Sequence, residues 1–145
     1  VEKLEAYGVR SEIYSATSYG EMRREGLECD RWNRLHPTKT AKQPWVEQML
    51  GTGDVPVIAV SDNMAAVPDM IRQWVSGHFT VLGTDGFGRS DTREALRRFF
   101  EIDGKAVALA ALSSLVRDGS IDATVYEKAE KEFGISTERE DITEI

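Results

Sequence analysis

The sequence predicts an α/β fold, a three-layer α/β/α sandwich around a mostly parallel sheet. Three observations lead there. VPVIAVS, Val55 to Ser61, is a continuous β-branched apolar run of the kind that forms a central strand covered on both faces. FTVLG, Phe79 to Gly83, is a second short run of the same type. Around both lie segments with apolar residues at helical spacing, and strands alternating with helices imply right-handed crossovers and parallel pairing. At 145 residues, 41% hydrophobic and 30% charged, the chain has the content for one core without a disulfide or metal staple.

Taken in order, VEKLEAYGV reads as the last turns of a helix stopped at Gly8, with Leu4 and Tyr7 inward. GVRSEIYSAT, Gly8 to Thr17, carries Val9, Ile13, Tyr14 and Ala16 and reads as a half-buried strand. Ser18 with Glu21 three residues on has capping-box spacing and opens a helix to Leu35, with Gly26 as an interruption and His36-Pro37 as its breaker. Pro44 starts a short helix through Trp45, Met49 and Leu50, closed by Gly51 and Gly53. Met64, Val67, Ile71, Trp74 and Val75 recur at helical spacing up to Ser76-Gly77, with Pro68 limiting the early turns.

Beyond Phe79 to Gly83, the loop TDGFGRS leads to a helix DTREALRRFFEI in which Asp91 caps, Glu94 is its capping-box partner, and Leu96, Phe99 and Phe100 supply the inner face. GKAVALAALSSLVRD, apolar on nearly all sides, reads as a buried helix ended by Gly119, and SIDATVYEKAEKEFG as an amphipathic one ended by Gly134. The organisation expected is one domain over residues 1–135 and a polar, acidic tail over 136–145. Three strands are few for such a sheet, which places at least one more before Val1 and reads the chain as a piece of a longer protein.

A net charge of −7 argues against nucleic acid or an anionic membrane surface as partner. No run approaches the ~18 apolar residues of a membrane span, and VEKLEAYGV has neither a basic region nor an apolar secretory stretch, so the expected setting is cytoplasmic. The lone Cys29 suits a reducing compartment, and Glu28 and Asp30 beside it are expected to raise its pKa. His36 and His78 lack metal-ligand spacing and read as exposed loop residues. Ser18, Ser61 and Ser90 lack a nucleophile-elbow setting. Arg23, Arg24, Arg31 and Arg34 share a solvated helix with carboxylates, and Trp32, Trp45 and Trp74 read as residues of the core or of a subunit contact rather than as ligand-stacking groups.

The stretch richest in chemistry is LGTDGFGRSDTRE, Leu82 to Glu94, where three glycines lie between a buried strand and a helix start. Backbone amides there would suit a phosphate, with Arg89 and Ser90 as further donors. The order is GxxGxG, however, without GxGxxG or the Lys-Ser/Thr of phosphate loops. The competing reading is a tight turn in which Asp85 and Asp91 cap and Arg89 makes an ion pair. Composition and spacing show no complete active site.

Three segments, TSYGEMRREGLECDRWNRLHP, PVIAVSDNM and LGTDGFGRSDTREALRRFFEID, resemble the C-terminal domain of the homodimeric pyruvate dehydrogenases. The similarity runs from about Tyr7 to Ile135. It implies the transketolase C-terminal fold, attached behind two larger domains. In that family thiamine diphosphate and a divalent metal, usually magnesium, are held between those preceding domains. Carbon dioxide is removed from pyruvate, and the acetyl unit passes to a lipoyl group of dihydrolipoamide acetyltransferase. The GDG-to-Asn run that binds the diphosphate and metal is absent here, so no catalytic, cofactor or metal residue is carried over. The resemblance implies a supporting role in a homodimer or in docking the acetyltransferase. The residues singled out as an inter-domain loop are Asp85, Gly86, Phe87, Gly88, Arg89, Ser90 and Asp91, with Arg89 pairing to a neighbouring carboxylate. Two alternatives from other classes are a free-standing phosphate- or nucleotide-binding module and a pure interaction domain.

Overall fold

The computed structural model describes residues 1–51, 53, 55–136 and 138. Its centre is a parallel pair, β1 (Val57–Val60) and β2 (Phe79–Leu82), in register from Val57 beside Phe79 to Val60 beside Leu82. Backbone bonds from Val57 N to His78 O (2.8 Å) and from Ser61 N to Leu82 O (3.0 Å) extend the ladder at both ends.

Strand alternation sorts the side chains into two faces. Val57, Ala59, Phe79 and Val81 pack with Val46, Ile71 and Trp74 and with half-buried Tyr19, Met22 and Leu50. Those partners come from α2 (Tyr19–Leu35), α3 (Trp45–Leu50) and the stretch around a 3-10 turn, Arg72–Trp74. The opposite face carries Thr80, whose Oγ1 lies 3.5 Å from Ser114 Oγ of α6 (Gly104–Arg117). Helices therefore cover both faces of the sheet, the three layers expected. A second apolar cluster joins Leu4 of α1 (Glu2–Glu5), Ala108, Leu109 and Leu112 of α6, and Ala129 of α7 (Ala123–Phe133). Leu112 is fully enclosed, which is worth about 2–3 kcal/mol of transfer free energy.

Capping explains where several helices begin and end. Ser18 Oγ accepts from Glu21 N (3.2 Å), as the spacing predicts, but the Glu21 carboxylate turns to Arg24 at 2.8 Å. Asp103 Oδ1 accepts from Lys105 N and Ala106 N, and Asp122 Oδ1 from Thr124 N, each at 2.9 Å. Gly134 closes α7 at φ 64°, a left-handed conformation that costs glycine nothing.

Four expectations are corrected. Residues 8–17 form no strand: a strand needs a hydrogen-bonded neighbour, and here Ile13 is 75% and Tyr14 49% exposed. The described sheet thus has two strands, where three were expected. The single helix expected over 64–75 is instead α4 (Ala66–Asp69) followed by the 3-10 turn, the backbone tightening to three-residue bonds from Met70 N to Val67 O (3.3 Å) and from Ile71 N to Pro68 O (3.4 Å). The helix expected over 91–102 is α5 (Arg93–Phe99), and its cap is Thr92 rather than Asp91. That helix stops early because Glu101 takes φ 56° and Ile102 N donates to Arg97 O (2.9 Å), a glycine-free version of the common helix stop.

Gly26 does not interrupt α2, and Trp45, 48% exposed, lies outside the core, which leaves the subunit contact of its two expected roles. Save for Ser136 and Glu138, the acidic tail at 136–145 lies outside the described residues. Among the described residues no helix is long and apolar enough to cross a membrane.

Candidate functional site

The loops leaving β1 and β2 are clamped to one another, and this sets the position of every residue singled out above. Gly83 follows β2 so closely on the first loop that a β-carbon there would lie 2.4 Å from Ala65 N and 2.8 Å from Asn63 O. Only glycine allows that approach. Thr84 N donates to Asn63 O (3.0 Å) and Thr84 Oγ1 to Asp62 O (2.9 Å). The Asp85 carboxylate then accepts from Ala65 N at 3.1 Å.

Beyond Asp85 the chain leaves the clamp. Gly86 turns it at φ 88°. Phe87 is 81% exposed, Gly88 has open space where a β-carbon would be, and Arg89 and Ser90 are exposed. The Arg89 guanidinium lies over the Phe99 ring, 4.1 Å from its centre, a cation–π contact rather than the ion pair expected. Asp91 Oδ1 accepts from Thr92 N (2.7 Å) and Thr92 Oγ1 from Ala95 N (3.2 Å). Between this loop and α5 runs a groove of about 330 Å³ lined by Arg89, Asp91, Ala95, Leu96, Arg98 and Phe99.

The structure therefore brings Arg89 and Asp91 together at the groove and holds Asp85 at the clamp. Phe87 and Ser90 are exposed and do not line the groove. Asp85 and Asp91 take up the amides of Ala65 and Thr92, which supports the turn-and-cap reading over an anion cradle. Sequence reasoning missed Ala95, Leu96, Arg98 and Phe99 as groove residues and Asp62 and Asn63 as clamp acceptors. The signal available for the clamp was the rule that parallel strands gather their loops at their carboxyl ends.

Elsewhere the polar residues are occupied structurally. His36 stacks on Trp32 at 4.5 Å, and His78 Nε2 meets Asp118 Oδ1 at 2.8 Å; both rings are exposed, as expected. Cys29 is buried, and burial is the main reason its thiol pKa is raised. The Glu25 carboxylate, accepting from Sγ at 3.3 Å, adds to that. Glu28 contributes less, and Asp30, expected to help, instead accepts from the Trp74 indole at 3.1 Å.

The transketolase-like TK C-terminal domain is the family whose model this chain matches, over residues 1–103. The chain belongs to the transketolase C-terminal domain family. It is similar to proteins named pyruvate dehydrogenase E1 component from Pseudomonas aeruginosa (48% identical), Haemophilus influenzae (46%) and Escherichia coli K12 (43%), in each case over 134 residues, 92% of this chain. The chain spans about 15% of the length of these relatives. As a transketolase C-terminal domain it has the α/β architecture read from its strands and helices.

A diphosphate and its metal do not fit the described residues of this domain. No group of three or more His, Cys, Asp or Glu among them is arranged to hold a metal ion. At the two ends of the glycine loop the amides of Ala65 and Thr92 are taken up by the carboxylates of Asp85 and Asp91.

Proposed function

We propose that this chain is the C-terminal domain of a pyruvate dehydrogenase E1 component. That protein, as a cytoplasmic homodimer with thiamine diphosphate and magnesium, removes carbon dioxide from pyruvate and passes the acetyl unit to the lipoyl group of dihydrolipoamide acetyltransferase. The carrying observation is identity of 43–48% sustained over 134 residues to relatives of that one name. The chemistry resides in polypeptide outside these residues, and the domain's own contribution is support. The clamp at Gly83 and Asp85 makes a rigid base, from which Gly86 to Asp91 projects toward a neighbouring domain. Exposed Phe87 and the stacked Arg89 are the contact groups of that projection.

The test is an assay in two arms. The 145-residue chain, supplied with pyruvate, thiamine diphosphate and magnesium, releases no carbon dioxide, whereas the longer protein that carries it does so and acetylates a lipoyl domain. Turnover by the short chain, or a longer protein that ignores pyruvate, overturns the proposal.

A further inference from the structure

Residues 10–17 stand apart from the rest of the chain. All of them are exposed, Ile13 by 75% and Tyr14 by 49%, and among the described residues no backbone hydrogen bond joins them to another segment. Adjacent Ile13 and Tyr14 would project to opposite faces of an extended chain, the pattern of a strand whose sheet is covered on both sides. The flanks of the run lie on those two faces. Val9 packs with the cluster of α1 and α6, and Tyr19 with the cluster of α2 and α3. The run therefore passes the sheet at one edge.

The edge of β1 is open as well. Val57 N and Ser61 N point to β2, so by alternation the amides and carbonyls of Ile58 and Val60 point to the other side. Among the described residues no strand pairs there, and the Val60 side chain is 38% exposed. Such an edge is a template for one more strand.

Handedness fixes the order. Right-handed crossovers on one face of a parallel sheet all step the same way, and those on the other face step back. The crossing from β1 to β2 runs through α4 and Trp74 on the face of α2, and the crossing from residues 10–17 to β1 runs through α2 and α3 on that same face. Residues 10–17 thus lie on the side of β1 away from β2. A strand leading into α1 crosses on the face of α6, so it lies one step back from residues 10–17, toward β1. Because residues 10–17 do not pair with β1, the place beside β1 falls to that strand.

We infer that the polypeptide ahead of α1 in the longer protein supplies a parallel strand that inserts between residues 10–17 and β1, and that residues 10–17 become the edge strand by pairing with it. The sheet then runs residues 10–17, the inserted strand, β1 and β2. The inference rests on the reading above that the chain is one domain of a longer protein, since the chain spans about 15% of the length of its relatives. A strand, its crossover helix and the next strand take about thirty residues, which places the inserted strand within about that distance of α1.

The experiment uses the longer protein. Residue-resolved hydrogen exchange is expected to show the Ile58 and Val60 amides at least tenfold slower than those of the exposed loop at Phe87 to Ser90, with slow and fast amides alternating along residues 11–16, because an edge strand pairs on one side only. A photo-crosslinking phenylalanine analogue in place of Tyr14 is expected to label a peptide shortly ahead of Val1 in the same subunit. Fast exchange at Ile58 and Val60, protection of residues 11–16 without alternation, or a crosslink to β1, to a different domain or to the partner subunit overturns the inference. Pyruvate turnover measured on the same samples separates the two ideas. Turnover with fast exchange at Ile58 and Val60 sinks the inserted strand alone, and slow exchange with the expected crosslink but no turnover sinks the assigned chemistry alone.

Discussion

The indole of Trp74 lies directly against Gly26, so that a β-carbon at that position would fall 2.6 Å from the ring. The ring cannot easily yield, because it is buried and its Nε1 donates to Asp30 Oδ2 at 3.1 Å. Gly26→Ala gains up to ~1 kcal/mol of helix propensity but forces overlap that typically costs about 1–3 kcal/mol, so a net loss of ~1 kcal/mol is expected. Urea unfolding of the variant against the parent measures it. A stabilised variant would show that α2 and Trp74 can move apart.

Gly83 and Gly88 make a matched pair. At Gly83 a β-carbon meets the backbone of Ala65, and at Gly88 it meets nothing within 4 Å. Gly83→Ala is expected to cost about 3 kcal/mol, the upper end for overpacking, because the clashing atoms are main chain. Gly88→Ala is expected to stay within about 0.5 kcal/mol of the parent. Thermal unfolding of the two variants side by side checks the contrast, and equal effects would refute the clamp.

Tyr7 Oη donates to Glu132 Oε2 at 2.6 Å and links the segment after α1 to α7. That bond, with smaller contributions from desolvation and the nearby negative charge, pushes the Tyr7 pKa up to about 12 from 10.0. A phenol held more tightly protonated in the folded state stabilises it fully below pH 10. The contribution is lost between pH 10 and about 12, as the unfolded chain ionises first. Ultraviolet titration should show tyrosines ionising late, Tyr14 and Tyr19 being raised as well, and the latest of them should disappear in Tyr7→Phe. A Tyr7 that ionises with exposed tyrosine would contradict the bond.

Cys29 is expected to resist alkylation at neutral pH, because burial and Glu25 both disfavour its thiolate. Labelling by iodoacetamide should become rapid only in denaturant, and Glu25→Gln should raise the native rate modestly. Rapid labelling of the folded parent would show that the thiol is accessible.

Much of this fold was legible because its signals are local. The runs at 55–61 and 79–83 are apolar on both faces, and Ser18, Gly134 and the Asp residues ahead of helices act within one turn. The failures involve partners distant in sequence. Residues 9–17 carry strand-forming side chains, but strand formation depends on a neighbour, which local composition does not record. Asp91 and Thr92 are both good caps, and a one-residue choice between them is settled by the entry of the chain from the loop.

The candidate groove was less legible still. Its glycines stood out, yet its lining comes largely from α5, where Leu96, Phe99 and Phe100 read as the inner face of the helix although α5 buries none of its residues.

The parallel pair stands between the two apolar clusters: one packs on the face of Ala59 and Phe79, while α6, which belongs to the other, reaches the opposite face with a hydroxyl-to-hydroxyl contact, Ser114 beside Thr80, where oil-like adhesion is weak. Each half can therefore breathe on its own schedule. Deuterium entering the amides of α6 and α7 need not herald the opening of the parallel strands, and this small domain behaves as two clocks set side by side.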